Sequence, residues 1–81
     1  MTREEIIEKT NRFLTDELEV EENTLHENAS LKDDLGIDSL DFVDIVVIVE
    51  KTFGFKIKAE EMGGVDTLGK FYDYIYAKVN G

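Results

Sequence analysis

The 81-residue sequence contains no cysteine and no proline, and it has a single histidine. Without cysteine there can be no disulfide, no thiolate metal site and no redox-active thiol pair. Without proline, a turn-rich β fold or an extended linker is disfavoured. No apolar run reaches the ~18–20 residues that a membrane-spanning helix needs, and the charged N-terminal segment is unlike a signal peptide. We therefore expect one small soluble domain over residues 1–81, monomeric and cytoplasmic.

Basic residues are also scarce, since nine lysines and arginines accompany nineteen acidic residues and the net charge is −10. A charge of this size disfavours binding to nucleic acid or to anionic membranes and favours protein partners with basic surfaces. From Asp16 to Asp44 there are eleven acidic residues and a single lysine or arginine, Lys32. This cluster indicates either a well-solvated surface or a docking face, and composition alone does not separate the two.

Catalytic and metal-binding chemistry find little support in the sequence. A nucleophilic serine needs a base within hydrogen-bond reach, yet the only histidine, His26, lies in a polar stretch, and no G-x-S-x-G elbow surrounds Ser39. A chain of this length also offers no cleft in which paired carboxylates could be desolvated. An EF-hand loop aligned on Gly36 would have apolar residues at three of its ligand positions. We expect neither an enzyme nor a built metal site.

The spacing of apolar residues predicts an all-α fold, a small four-helix bundle of three main helices and one short helix. The first helix follows a capping box of Thr2 and Glu5 and reaches Leu18. A long loop then leads to the second helix, and within it Ser30 caps a single turn that ends at Gly36. The short helix is expected within residues 57–62, stopped by two glycines, and the last helix follows Thr67.

The second helix contains a run that is ambiguous between helix and strand. Residues 45–49 are all β-branched and, taken alone, are typical of a strand. A helical stripe is nevertheless present, formed by Phe42, Ile45, Val46, Val49 and Phe53. A lone strand in an otherwise helical chain would also have no partner. We therefore predict a helix that is capped by Asp38 and Asp41 and ended by Gly54.

Ser39 falls one residue inside the start of this helix. Its hydroxyl is expected to be exposed there, and free backbone N–H groups and the helix dipole favour a negative group such as a phosphoester. The position suits covalent attachment through phosphate. The alternative is that serine merely tolerates the first turn of a helix.

The segment Asp34-Leu35-Gly36-Ile37-Asp38-Ser39-Leu40-Asp41 closely resembles the attachment motif of acyl carrier proteins. The resemblance continues through the following helix, the Phe53–Ile57 segment, the acidic Ala59–Glu61 turn and the last helix, and so covers nearly the whole chain. It implies that Ser39, next to the acidic Asp38, receives a 4′-phosphopantetheine arm from coenzyme A through a phosphopantetheinyl transferase. The arm would carry acyl intermediates as thioesters to enzymes of fatty-acid or related lipid or polyketide biosynthesis.

The resemblance also implies two larger sets of residues. The outer face of the second helix would dock basic patches on the transferase and on pathway enzymes, through Leu40, Asp41, Val43, Asp44, Val47 and Glu50. Helical spacing supports a face distinct from the core stripe, although packing of Val43 and Val47 in the core is the alternative. An acyl pocket would open among Phe42, Val46, Leu68, Phe71 and Ile75, which an ordinary closed core would also require.

The sequence departs from the usual pattern of the family at several positions. Lys51 stands where glutamate is common, Phe42 where a small residue or threonine is common, and Gly63-Gly64 where a helix would continue. These departures leave two readings open, the general carrier of fatty-acid synthesis and a specialised carrier dedicated to one pathway or a few partners. Two alternatives are a carrier domain for amino-acyl or aryl groups and an unmodified acidic helical adaptor in which Ser39 only starts a helix.

Overall fold

Three long α-helices form the body of the computed structural model, which describes all 81 residues. They are α1, Arg3–Leu18, α2, Ser39–Phe53, and α3, Leu68–Asn80. Two short 3₁₀ helices, Glu22–Thr24 and Ala59–Gly64, lie in the connections. The only β pairing is one isolated antiparallel bridge between Ser30 and Thr67. The predicted all-α fold, with three main helices and a long first loop, is confirmed. The structure adds a 3₁₀ helix in that loop, Glu22–Thr24, to the one short helix that was predicted.

Each long helix begins at the side-chain cap that the sequence predicts. At α1, Glu5 N donates to Thr2 Oγ1 at 3.1 Å and Thr2 N donates to the Glu5 carboxylate at 3.0 Å. At α3, Lys70 N donates to Thr67 Oγ1 at 3.3 Å. These bonds satisfy backbone N–H groups that have no partner inside the helix, so they fix where each helix starts.

Gly54 ends α2 in the left-handed conformation, with φ of +82°, and its N–H donates to Glu50 O at 3.0 Å. Glycine adopts this conformation without steric cost, which is why the helix stops there. The short helix differs from the prediction for residues 57–62, because it begins at Ala59 and continues through both glycines to Gly64. The physical reason for the later start is Ile57, which is only 5% exposed and is packed into the core ahead of the helix.

The core lies between the three long helices. The helical period divides the β-branched residues of α2, so that Ile45 and Val49 are buried while Val43 and Val47 face outward. This division resolves the ambiguity between helix and strand, since a strand would alternate its side chains at every residue. The largest fully buried side chains are Ile6, Leu14, Leu68, Phe71, Tyr72 and Ile75. None of the helices combines the length and apolar character required to cross a membrane.

The long loop is fastened to the start of α3 by backbone hydrogen bonds. Leu68 N donates to Ala29 O and Gly69 N to Glu27 O, both at 2.9 Å, and Leu31 N donates to Asp66 O at 3.0 Å. The bonds from residues 68 and 69 satisfy free N–H groups of the α3 first turn. The predicted turn at residues 30–36 is present, with Asp33 N donating to Ser30 Oγ at 3.1 Å. This arrangement holds the loop beside the start of α2.

Candidate functional site

Ser39 is the first residue of α2 and is exposed. The cap of the helix is made by its neighbour Asp38, whose carboxylate accepts from Leu40 N at 2.9 Å and from Asp41 N at 3.0 Å. The Ser39 hydroxyl takes no part in these capping bonds. The hydroxyl is therefore exposed and free of the hydrogen bonds that cap the helix.

The cap also leaves fewer free N–H groups at the start of α2, for binding a negative group, than the sequence suggested. Phe42 N donates to Asp38 O at 3.0 Å, so that Asp38 satisfies the N–H groups of three consecutive residues. Of the first four N–H groups of α2, only that of Ser39 is left without a partner in the cap. A phosphate on Ser39 would thus meet one free N–H and a neighbouring carboxylate, rather than a full anion site.

A groove of about 800 Å³ opens beside Ser39. Its walls come from the turn at residues 30–33, from the start of α2 and from the segment 59–66 that includes the short 3₁₀ helix. Its apolar lining is Leu31, Ile37, Phe42, Ala59, Met62 and Val65. Apart from Ser39 itself, Phe42 is the only residue of α2 in this lining. A flexible, largely apolar group attached to Ser39 would find a surface here to lie against.

The outward side of α2 carries exposed apolar side chains next to carboxylates. Leu40 is 78% exposed, Val43 61% and Val47 47%. The alternative that Val43 and Val47 pack in the core is therefore wrong. Asp44 and Glu50 are also exposed and take part in no ion pair, whereas Asp41 is half-buried because its carboxylate closes the cap toward Asp38 N. We call the set of Leu40, Asp41, Val43, Asp44, Val47 and Glu50 the outer face of α2.

Residues 12–75, which include Ser39, match the family model of the phosphopantetheine attachment site. The acyl carrier protein of Thermotoga maritima is 40% identical over 78 residues, 96% of each chain, and that of Rubrobacter xylanophilus is 37% identical over 75 residues, 93% of each chain. The chain belongs to the acyl carrier protein family. Its fold agrees with this, because the solved acyl carrier protein of Enterococcus faecalis matches it with a TM-score of 0.76 at 31% identity, over 95% of this chain and 98% of that one.

The prosthetic group of this family is 4′-phosphopantetheine, and the surroundings of Ser39 fit an arm of that kind. The hydroxyl that would form the phosphoester is exposed and lies outside the cap. The groove beside it offers apolar side chains to the arm and to a short acyl group, and polar residues of the turn at its rim. The arm supplies a thiol that the chain, which has no cysteine, does not have.

The five residues predicted to form the acyl pocket are not brought together in one cavity. Only Phe42 lines the groove beside Ser39. Leu68 and Ile75 are fully buried, Phe71 is 2% exposed, and Val46 is half-buried at the edge of the same core. In this structure the core of the carrier is closed, so an acyl chain could enter among these residues only by moving side chains apart.

A hydrogen-bonded cluster behind the groove was not found by the sequence reasoning. Tyr74 OH donates to Glu61 Oε1 at 2.9 Å, and Lys78 Nζ lies 2.9 Å from the same carboxylate. The bond from Lys78 holds the pKa of Glu61 below its usual range and raises the pKa of Lys78 above its own. This cluster fastens the short 3₁₀ helix, one wall of the groove, to α3. The sequence carries no local signal for it, because the partners are 13 and 17 residues apart.

Proposed function

We propose that Ser39 is the attachment point of a 4′-phosphopantetheine arm donated by coenzyme A. The serine oxygen would bond to the pantetheine-bearing phosphorus while adenosine 3′,5′-bisphosphate leaves, with the transferase accepting the hydroxyl proton. The observation that carries the proposal is the exposed Ser39 hydroxyl, free of the helix cap, inside the segment that matches the family. Acyl groups would then travel as thioesters on the thiol of the arm.

The enzymes served by this carrier would be those of fatty-acid synthesis or of a related lipid or polyketide pathway. They and the transferase would dock on the outer face of α2, where Leu40, Val43 and Val47 offer apolar contact and the flanking carboxylates attract basic residues. Charges at the rim of an interface mainly speed association and make it sensitive to salt, which suits a shuttle that must also dissociate. Under this proposal the chain itself catalyses no reaction and works as a monomer in the cytoplasm, beside coenzyme A and these enzymes.

The attachment is tested by intact mass after incubation with coenzyme A and a broad-specificity phosphopantetheinyl transferase. The wild type should gain the mass of one phosphopantetheine, and Ser39→Ala should gain none. Ser30→Ala is the matched control, because Ser30 is the only other serine and should leave the modification unchanged. A circular dichroism spectrum shows that each variant is folded. Modification of Ser39→Ala, or none in the folded wild type, would contradict the proposal.

The docking face is tested separately by Asp44→Lys. Asp44 is exposed and has no partner in the chain, so the substitution should leave the fold intact while it reverses a charge that faces the transferase. We expect slower modification at low ionic strength and a smaller difference at high salt. An unchanged rate at low salt would remove Asp44 from the docking face without affecting the assignment of Ser39.

A further inference from the structure

One basic residue, Lys32, lines the groove that opens beside Ser39. It is also the single lysine or arginine between Asp16 and Asp44. Its side chain is exposed and takes part in none of the five ion pairs of the structure. The fold therefore leaves one unpaired positive charge in the groove that holds the candidate attachment serine.

The backbone around Lys32 is fixed beside the start of α2. Leu31 N donates to Asp66 O at 3.0 Å, and Ile37 N donates to Leu31 O at 2.9 Å. The second bond closes the turn and brings the residue after Leu31 close to the segment that leads into Ser39. Because both are backbone bonds, the turn does not depend on the side chain of Lys32, and a substitution there should leave it intact.

A phosphate on Ser39 would otherwise meet unfavourable surroundings. The cap made by Asp38 leaves a single free N–H at the start of α2. Three carboxylates also line the groove, those of Asp33, Asp38 and Asp66. Of these, only Asp66 is neutralised by a basic side chain, since Lys70 Nζ lies 3.1 Å from its carboxylate. The other two would repel a phosphodiester, and the ammonium of Lys32 is the only full positive charge in the groove lining that would attract it.

We propose that Lys32 is a positioning residue that pairs with the phosphodiester of an arm attached to Ser39. The pair would draw the arm into the groove, against its apolar lining, rather than over the outer face of α2. An exposed pair of this kind shifts an equilibrium by only about two- to fivefold. The arm would therefore rest in the groove and still leave it when a partner binds. This inference rests on the proposed function, because it requires an arm on Ser39.

The experiment uses the thiol at the end of the arm. Because the chain has no cysteine, a thiol-reactive nitroxide label attaches only to the arm of the loaded protein. The label speeds the nuclear magnetic relaxation of nearby backbone amides. Enhancement at Leu31 and Met62 reports occupation of the groove, and enhancement at Val43 and Val47 reports the outer face. The quantity compared between variants is the ratio of groove to outer-face enhancement.

Lys32→Gln should lower this ratio by about two- to fivefold at low salt, because it removes the charge and keeps a side chain of similar length. Lys32→Arg, which keeps the charge, should retain the wild-type ratio. A rise in salt should lower the ratio in the wild type but not in Lys32→Gln. Lys51→Gln is the matched control, since Lys51 is exposed, has no ion pair and lines a different groove.

Each outcome decides the matter. An equal ratio in the wild type and in Lys32→Gln would overturn the inference and leave Ser39 as the attachment point, because the intact mass would still show the loaded arm. An equal fall in Lys32→Gln and Lys51→Gln would assign the effect to net charge and would also overturn it. Absence of loading in the folded wild type would overturn the proposed function and this inference together.

Discussion

Replacement of Gly69 by alanine tests how tightly the long loop is held against α3. Gly69 is buried in the first turn of α3, and its N–H donates to Glu27 O at 2.9 Å. A Cβ atom at this position would lie 2.9 Å from that oxygen and 3.0 Å from Glu27 Cβ, whereas ordinary contacts begin at 3.4 Å. The loop would therefore have to retreat by about half an ångström. A backbone oxygen cannot avoid the clash by a side-chain rotation.

Two effects of opposite sign set the magnitude. Alanine is preferred to glycine inside a helix by up to about 1 kcal/mol, and less in the first turn. Against this, the retreat would stretch the bond between Gly69 N and Glu27 O to about 3.4 Å, beyond the ~3.2 Å limit of a good hydrogen bond. Overpacking of a buried position costs about 1–3 kcal/mol. We expect a net loss of about 1–2 kcal/mol in the free energy of unfolding, and a melting temperature lower by about 4–8 °C for each 1 kcal/mol.

The measurement is urea denaturation followed by circular dichroism, with Gly64→Ala as the control. A Cβ atom on residue 64 would have no other atom within 4 Å, and Gly64 has no positive φ, so alanine there should be neutral or stabilising by up to about 1 kcal/mol. If Gly69→Ala were as stable as the wild type, helix propensity would outweigh the clash. The loop would then be held more loosely than its hydrogen bonds indicate.

Three further predictions concern buried side chains and the groove. Thr10 is fully buried and its hydroxyl has no hydrogen-bond partner, so Thr10→Val should raise the free energy of unfolding by about 1 kcal/mol. The control Thr15→Val removes a hydroxyl that is hydrogen-bonded and should give no such gain. An equal gain in both variants would refute the reasoning. Burial raises the pKa of Tyr72 from 10.0 to about 12, so the unfolded state loses its proton first, and stability should fall by about 2 kcal/mol as pH rises from 10 to 12. An unchanged urea midpoint over this range would contradict this reasoning. Phe42→Ala should let longer acyl chains enter the core from the groove. The measurement is the rise in melting temperature on long-chain acylation, which should be larger in this variant than in the wild type. An equal rise in both proteins would show that Phe42 is no barrier to entry.

The parts of the fold that sequence predicts well are those fixed by neighbouring residues. The cap of α2 needs only Asp38 and Asp41, and its end needs only Gly54, so both could be found from the local pattern. The helical conformation of residues 45–49 followed from the spacing of apolar residues over the same helix. These signals act within one or two turns, and the structure agrees with them.

The parts that sequence missed depend on residues far apart in the chain. The short 3₁₀ helix starts later than predicted because Ile57 is packed into the core. The helix is fastened to α3 by the bond that Lys78 donates to Glu61, from 17 residues later in the chain. The acyl pocket poses a different difficulty. Apolar residues such as Leu68 and Phe71 are required both by a closed core and by one that opens, so their presence in the sequence could not distinguish the two states.

The cap of α2 affects how freely a phosphopantetheine arm on Ser39 could move. A helix start with four free N–H groups would bind the phosphate of an arm firmly and restrict its motion. Here Asp38 already occupies the N–H groups of Leu40 and Asp41 and places a negative charge beside Ser39. The phosphoester would therefore be tethered by its covalent bond and only weakly by the helix. With the core closed and the groove open to solvent, an arm attached at Ser39 would be held only loosely by the chain's own surface and would be free to reach a partner.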